Sequence, residues 1–329
     1  MRAGRALQQE LETGIEANFH GAYCSTENRR KATYNQAMRG SPIKVLLQTT
    51  IPTTADDWCI ARFSLLGQFL REQRRHGAPL FEVTMRDRES LGAPDSVLST
   101  LDQSEFDEMW LFAADVGNGL TAADCEGIAR FRRQGRGLLI TRDHMDLGSS
   151  ICDLAGIGEA HHFHSRNLDI DAARRAPDDT ITTSISWPNF HSGANGDYQE
   201  IRAVAPLHPV LANPDAAGGA IRFLPSHPHE GDVSAPKTQS ARVIAEGASK
   251  ATGRPFNIAV AFEPDSNSGP AIAESSFHHF VDYNWDVSRG SPSFVTEPPG
   301  ARMAQEPNAL RDTHRYVLNL AHWLAGSAP

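Results

Sequence analysis

Residues 109–141 read MWLFAADVGNGLTAADCEGIARFRRQGRGLLIT and contain two apolar runs on either side of an amphipathic segment. The run Met109–Ala114 is continuously apolar, which is typical of a strand that is buried on both faces of a sheet. Thr121–Asp124 has capping-box spacing and predicts the start of a helix that ends before Gly135. Gly137–Thr141 has the length and composition of a second strand. This order of elements predicts a right-handed βαβ unit with parallel strands.

The same alternation of strands and helices extends to both sides of this unit. Thr54–Asp57 also has capping-box spacing, and the residues after it place apolar side chains three and four positions apart, as one face of a helix requires. The sequence therefore predicts an α/β protein with a parallel sheet. The other predicted elements are the strands Ile43–Leu47, Phe81–Met85, Phe256–Phe262 and Ala271–Ser275, a helix carrying Ile60, Phe63, Leu66 and Leu70, and a closing helix Leu310–Leu324.

The composition changes along the chain and suggests its organisation. Residues 1–40 are polar and are interpreted as an N-terminal arm. Residues 41–326 are predicted to form one large α/β domain, although the total length would also fit two smaller domains. Residues 156–240 are rich in His, Pro, Gly and Asn, and they are interpreted as an irregular insertion that is too long to be a single loop.

The composition, net charge and cysteine content indicate which partners and which compartment to expect. The chain has 329 residues, 40% hydrophobic and 22% charged, with a net charge of -9, and its Lys and Arg residues are scattered. Nucleic acid is not expected as a partner, because binding phosphates requires a concentrated basic surface. No apolar run approaches the roughly 18 residues needed for a membrane span, and Met1–Glu12 lacks the apolar region of a signal peptide. Four separate cysteines (Cys24, Cys59, Cys125 and Cys152) suggest free thiols and a cytoplasmic location.

Four features of the chain occur in an order that resembles a known family. Gly137–Ile140 leads into a polar turn, Leu207–Leu211 contains His-Pro, a later strand ends at Ser275–His279, and Tyr316–Gly326 is a final helical segment with Trp-Leu-Ala-Gly. This order resembles the ThuA-like (trehalose-utilisation) family of the class I glutamine amidotransferase-like superfamily. The resemblance implies a flavodoxin-like, three-layer α/β/α fold around a mainly parallel central sheet. It also implies a role linked to sugars.

The sequence departs from the glutaminase pattern at the turn after the fourth strand. The resemblance implies a cysteine nucleophile there, but the turn reads Thr141-Arg142-Asp143-His144-Met145-Asp146. The nearest thiol is Cys152, which lies further along in a segment interpreted as helical. Glutamine hydrolysis through a cysteinyl thioester is therefore not expected.

Candidate site residues follow the predicted strands, because ligands of open α/β sheets bind outside the carboxyl ends of the strands. Histidine and carboxylate side chains at that edge suit acid–base chemistry, since the pKa of histidine lies near neutral pH. The predicted roles are acid–base catalysis for Asp143, His144 and His278, substrate binding for Thr49, Thr50, Asp115, Arg142, His279, Asp282 and Trp285, and metal binding for His227, His229 and Glu230.

The segment His227-Pro228-His229-Glu230 carries the metal hypothesis. In extended backbone the imidazoles at positions i and i+2 point to the same side. Two such imidazoles and a carboxylate would suit Zn, Mn or Fe. The other interpretation is a polar loop with surface histidines. His161–His164 permits the same two interpretations. The sequence favours a solvated or sheet-edge cluster there, because at most two of its histidines could bind the same metal ion.

Two further segments have alternative interpretations. Ser275–Phe280 and Asp282–Asp286 mix aromatic rings with polar groups, which suits carbohydrate but also fits buried aromatic side chains. The neighbours Asp143 and His144 are either an acid–base pair or two residues that face different partners. The pair Ser149-Ser150 lacks the Gly-x-Ser-x-Gly setting of a hydrolase nucleophile.

Two functional hypotheses remain open at this stage. The first is an enzyme of hydrolase or lyase type, without a cysteine nucleophile, that acts on a carbohydrate or another small polar metabolite. The second is a non-catalytic member of the superfamily that binds a small molecule or a protein. No nucleotide cofactor is expected, because the chain has neither a Gly-x-Gly-x-x-Gly turn after the first strand nor a P-loop. The sequence leaves homo-oligomerisation open.

Overall fold

A mixed eight-stranded sheet runs through the part of the chain that the structure describes. The computed structural model describes residues 41–327 apart from 176–177, 179–181, 183, 186, 188 and 238, so the predicted N-terminal arm lies outside the described residues. Residues from Pro42 onward form one compact unit. The strands of the central sheet are β1 (Ile43–Thr49), β2 (Phe81–Arg86), β3 (Glu108–Phe112), β4 (Gly137–Thr141), β5 (Arg202–Ala203), β6 (Ala241–Ala248), β7 (Pro255–Phe262) and β8 (Ala271–Glu274).

The strand order is β2-β1-β3-β4-β8-β7-β6-β5. The first five strands in this order are parallel, and their arrangement is that of a flavodoxin-like sheet. The remaining three strands pair in antiparallel fashion at one side. The predicted fold class, a flavodoxin-like α/β fold with a mainly parallel central sheet, is confirmed.

Helices cover both faces of the sheet. Alternate residues of each strand point to opposite faces, so Leu47 and Trp110 enter one core with α1 and α5, whereas Leu46 and Leu111 enter the other with α2. The helices are α1 (Ser64–Glu72), α2 (Ala122–Arg133), α3 (Asp282–Trp285), α4 (Arg302–Gln305) and α5 (Pro307–Leu324). Short 3-10 turns occupy Ile60–Phe63, Leu98–Gln103, Ser149–Asp153, Ile157–Ala160, Pro209–Leu211, Phe277–His279 and Val287–Arg289.

The two capping-box predictions had different outcomes. At α2 the box is present: the Thr121 hydroxyl accepts from the backbone N–H of Asp124, and the Asp124 carboxylate accepts from the backbone N–H of Thr121. The prediction that a capping box at Thr54–Asp57 starts the first helix is wrong, because α1 begins only at Ser64. The Asp282 carboxylate accepts from the Ser64 hydroxyl and the Leu65 backbone N–H, so a residue distant in sequence caps this helix.

The segment predicted as an irregular insertion contains short paired strands. Tyr198–Glu200 pairs with Phe223–Pro225, and His161–His162 pairs with Asp232–Val233, both antiparallel. The segment His227–Glu230 lies between two of these strands: Phe223–Pro225 ends just before it, and Asp232–Val233 begins just after it. Strand β6 was not predicted from the sequence. Among the described residues, no helix is both long and apolar enough to cross a membrane.

Candidate metal centre

Three loops at the carboxyl edge of the sheet bring Asp143, His227 and His278 together. Asp143 lies two residues after β4, and His278 lies four residues after β8, the neighbouring parallel strand. His227 follows the short strand Phe223–Pro225. Its backbone N–H donates to the Ser192 hydroxyl (2.8 Å), and its carbonyl oxygen accepts from the backbone N–H of Ser192 (3.1 Å).

The turn that carries Asp143 is held by Arg142. The Arg142 guanidinium is buried, stacks 4.0 Å from the centre of the Phe163 ring, and donates to the carbonyl oxygens of Asp143, Met145 and His162. Burial lowers the pKa of Arg142 to about 10, which leaves it charged at neutral pH. Arg142 therefore supports the backbone of the site, and its predicted contact with a substrate stays a prediction.

Asp143, His227 and His278 each offer a ligand atom, and these atoms lie within 4.8 Å of one another. The distance from Asp143 Oδ2 to His278 Nε2 is 3.6 Å, and that from Asp143 Oδ1 to His227 Nδ1 is 3.5 Å. These distances are too long for good hydrogen bonds. They are close to the separation of about 3.3 Å between two ligands bound 2.0–2.1 Å from a tetrahedral zinc ion.

The three side chains are almost completely buried, with 1% of Asp143, 3% of His227 and 2% of His278 exposed. Burial opposes the carboxylate form of Asp143, but the neighbouring His144, His227 and His278 outweigh it and hold the pKa of Asp143 well below its ordinary value. Burial and the adjacent His278 lower the pKa of His227, so its imidazole is neutral. An ionised carboxylate beside a neutral imidazole is the donor set that a divalent cation requires.

A hydrogen-bond network orients the ring of His278. The Nδ1 atom lies 3.2 Å from Asn284 Oδ1, and the Asn284 amide nitrogen donates to Asn195 Oδ1 and to the Ser226 carbonyl oxygen. With its amide N–H groups used in this way, Asn284 presents only its oxygen to the ring. The network therefore makes Nδ1 of His278 the donor to Asn284 and directs Nε2 toward Asp143. Such a partner on the second ring nitrogen is usual for a metal-binding histidine.

Two further histidines, His144 and His229, lie next to this cluster. The His144 ring centre is 5.2 Å from that of His229 and 6.4 Å from that of His227, and the His227 and His229 centres are 5.5 Å apart. The His227 and His278 rings stack in parallel, with centres 3.6 Å apart. The structure thus brings together His144, His227, His229 and His278 with Asp143, whereas His279, the fifth histidine predicted at this edge, contacts Glu230 and Glu274 instead.

Of these two histidines, His144 is partly exposed and His229 is buried beside it. Nε2 of His229 lies 3.4 Å from a carboxylate oxygen of Glu297, whose side chain is 37% exposed. The side chain of His144 is 20% exposed. Burial and the neighbouring His144 lower the pKa of His229. His229 was predicted as a metal ligand, but the structure places it beside the Asp143, His227 and His278 group.

Glu230 and His279 lie in a separate buried cluster, apart from Asp143, His227 and His278. Pro228 and His229 form a turn, so the extended backbone assumed for this segment is absent, and Glu230 after the turn pairs with Phe190. Glu230 lies 3.2 Å from Nε2 of His279, and the Nδ1 atom of His279 lies 2.9 Å from Glu274. Burial opposes the charge on His279, but the two glutamates raise its pKa to about 10. Asp143 takes the place beside His227 that Glu230 was expected to occupy.

The other residues predicted to bind substrate are also buried in contacts within the protein, and their substrate role stays a prediction. Their polar atoms are already used by backbone and side-chain partners, and their positions near strand ends did not reveal this. Thr49 donates to Asp87, Thr50 accepts from the backbone N–H groups of Ala114 and Asp115, Asp115 accepts from Ser150, Asp282 caps α1, and Trp285 donates to the His279 carbonyl oxygen.

Three residues of this site, Asn284, Glu297 and Ser276, are not predicted from the sequence. The Ser276 hydroxyl lies 3.4 Å from Nδ1 of His227 and accepts from the backbone N–H of His278. Asn284 lies in the aromatic Asp282–Asp286 stretch, which could have pointed to it. Glu297 lies in a segment rich in Pro, Gly and Ser, which carries no periodic signal.

Comparisons with known proteins give a likeness of fold only. No protein-family profile matches the chain, and no curated protein matches it. A glutaminase domain of Trypanosoma brucei CTPS with bound acivicin has 11% identity and a TM-score of 0.44, covering 87% of this chain and 95% of that one. The cytoplasmic protein STM3548 from Salmonella typhimurium has 12% identity and a TM-score of 0.38, covering 83% and 98%.

The novel carbohydrate deacetylase Agd3 has 11% identity and a TM-score of 0.38. The match covers 71% of this chain and 29% of the deacetylase, so the chain spans less than a third of that protein's length. At these values the matches carry no information about activity, and the functional argument depends on the site.

Proposed function

We propose that Asp143, His227 and His278 bind a divalent metal ion (Zn, Mn or Fe) and that the protein is a metal-dependent hydrolase. The observation that supports this proposal is the buried Asp-His-His group with its ligand atoms within 4.8 Å of one another. Catalytic zinc sites use three protein ligands and keep one position for water or substrate. The proposed substrate is a small polar molecule of carbohydrate type, in keeping with the ThuA-like resemblance of the sequence.

A metal ion bound there would supply an activated water molecule and polarise the bond to be cleaved. His229 is the proposed general base, because it lies beside the three ligands and the Glu297 carboxylate can orient its ring. His144 is proposed to contact the substrate, since it is the most exposed histidine of the cluster. The side chain of Asp143 would remain ionised throughout as a ligand.

A thiol mechanism is not part of this proposal. Burial raises the pKa of Cys152 to about 11 and that of Cys125 to about 12. The reactive form of cysteine is the thiolate, so both thiols are poor nucleophiles at neutral pH.

The proposal is tested by metal analysis together with an activity screen. We expect the purified protein to contain Zn, Mn or Fe, to lose it to a chelator, and to hydrolyse a member of a panel of sugar esters, amides and glycosides only when metal is restored. Asp143→Asn and His278→Asn should lose both metal and activity. The matched control is His164→Asn, at a histidine outside the cluster whose side chain is 45% exposed.

Two results would contradict the proposal. If the wild-type protein takes up none of these metals, even after dialysis against each of them, the alternative of a non-catalytic binding protein is favoured. If Asp143→Asn folds and retains the metal, the ligand assignment is wrong.

A further inference from the structure

A second buried polar cluster adjoins the proposed metal centre, and its central residue is Glu230. The Glu230 side chain is fully buried. Its two carboxylate oxygens accept four hydrogen bonds at distances between 2.6 and 3.2 Å, from the Ser192 hydroxyl, the Gln199 amide, the Ser275 hydroxyl and Nε2 of His279. A buried carboxylate is stable only when donors compensate its charge in this way.

The four donors tie Glu230 to both chain segments that carry the histidine ligands. Glu230 itself follows His227 by three residues, and Ser192 donates to Glu230 while accepting from the backbone N–H of His227. Ser275 and His279 flank His278 in sequence. The backbone adds one more link between the segments, because Gly231 N–H donates to the Ser275 carbonyl oxygen at 3.0 Å.

His279 is held from both sides. Its Nδ1 atom lies 2.9 Å from Glu274, and the hydroxyl of Tyr316 on α5 donates to the same glutamate. His278 is therefore flanked in sequence by two residues that are held in place. The buried His279 ring cannot rotate without breaking its contacts with Glu230 and Glu274, and the Ser275 hydroxyl donates to Glu230. Separating the two segments would leave the buried Glu230 carboxylate without some of its hydrogen-bond donors, which is energetically costly.

We propose that Glu230 is a positioning residue that fixes His227 and His278 at the separation required to share one metal ion. This inference rests on the proposed metal function and deepens it. Glu230 contacts neither the metal position nor a substrate. It acts through the backbone of the two segments that carry the ligands. Residues that support metal ligands in this way typically change metal affinity by about 10- to 100-fold when they are replaced.

Cobalt binding provides the test, because the visible absorption of Co²⁺ reports the geometry of its ligands. The full-length wild-type chain and Glu230→Gln would be freed of metal and titrated with Co²⁺. Glu230→Gln is isosteric but lacks the charge, and we expect it to bind Co²⁺ about 10- to 100-fold more weakly, with altered absorption bands. Ser275→Ala removes one of the four bonds and should show a smaller change in the same direction.

The matched control is Asp124→Asn. Asp124 is also a fully buried carboxylate with four donors, namely Arg88 Nη2, the backbone N–H of Asp95, and the backbone N–H and hydroxyl of Thr121. Its replacement should lower the melting temperature without changing the cobalt affinity or the spectrum. This comparison separates a positioning effect from a general loss of stability.

The outcomes distinguish this inference from the proposed function. If the wild-type protein binds no Co²⁺, the metal site itself is wrong and this inference fails with it. If the wild type binds Co²⁺ and a folded Glu230→Gln shows the same affinity and spectrum, only the positioning role is overturned. If Glu230→Gln does not fold, the Ser275→Ala variant provides the test instead. A Co²⁺ affinity and spectrum of Ser275→Ala equal to those of the wild type would then overturn the inference.

Discussion

Asn284 shows how one neutral side chain can determine the chemistry of a neighbouring histidine. Its amide nitrogen is used by Asn195 and Ser226, so its oxygen faces Nδ1 of His278 and directs the other ring nitrogen toward Asp143. The contribution of Asn284 is therefore orientation of the ring and choice of its tautomer. A methyl group at position 284 would remove the acceptor that faces Nδ1 of His278.

We predict that Asn284→Ala lowers zinc affinity by about 10- to 100-fold. Affinity can be measured by competition with a chromogenic chelator. Asn213→Ala is the control, since Asn213 is a buried amide bonded to Asp312 and is not part of the site. Equal zinc affinity of Asn284→Ala and the wild type would show that the orientation of His278 does not depend on this amide.

At the scale of single residues, the sequence was informative where a polar side chain follows a strand directly. Asp143, His144 and His278 were selected on this basis, and the structure brings them together. Glu230 and His279 were selected by the same criterion and lie in another cluster. The sequence cannot separate these cases, because neighbouring residues in an extended segment face opposite directions and the strand bounds are not known to one residue.

Helix α5 illustrates what the sequence predicts well at the scale of one element. Its apolar side chains recur at helical spacing, and the structure buries Val317, Leu320 and Leu324 in the core on one face of the sheet. The helix extends from Pro307, three residues before the predicted start, and Leu310 is only partly buried. Proline suits a first helical position because its missing N–H is not needed there.

Leu320 is fully buried, and we predict that Leu320→Ala lowers the free energy of unfolding by about 2–5 kcal/mol, because it removes apolar contacts and leaves a cavity. The matched control is Leu318→Ala on the same helix, at a partly buried position, which should cost clearly less. Unfolding in urea gives both values. Equal losses for the two variants would mean that the helix does not cover the sheet through Leu320.

Elements that depend on distant residues could not be predicted from local sequence. The N-terminus of α1 is capped by Asp282, more than 200 positions away, so the local Thr54–Asp57 pattern was misleading. Strand β6 lies between two antiparallel neighbours and has a register shift between Val243 and Ala245. Its pattern of partly and fully buried residues therefore does not alternate strictly, and neither strand criterion detects it.

At the scale of the whole molecule, the topology explains why the site is where it is. β4 and β8 are parallel neighbours, with Thr141 opposite Glu274, so the loops carrying Asp143 and His278 emerge side by side. The sequence analysis could predict this convergence from parallel strands alone. It could not predict how residues 156–240 return His227 to the same edge, because that path depends on pairing between short strands whose register has no sequence signal.

The stability of the molecule should depend on pH through a histidine that packs on α5. His208 is buried, its ring lies 4.8 Å from that of Trp323, and its Nδ1 atom accepts from the backbone N–H of Val210. Burial and the nearby Arg242 lower the pKa of His208 to about 4, below the value of 6.5 for an exposed histidine, although the partly exposed Glu263 carboxylate lies 3.4 Å from its Nε2. Between these values the unfolded chain binds a proton that the folded chain does not.

We therefore predict that the free energy of unfolding falls as the pH drops from 6.5 to 4, with His208 contributing at most about 1.4 kcal/mol per pH unit. His208→Asn keeps an acceptor for the Val210 N–H but does not titrate, so it should make this pH dependence less steep. Urea unfolding at several pH values measures the slopes. A slope in His208→Asn as steep as in the wild type would show that His208 is protonated with equal ease in the folded and unfolded chains, and that the acid sensitivity arises elsewhere.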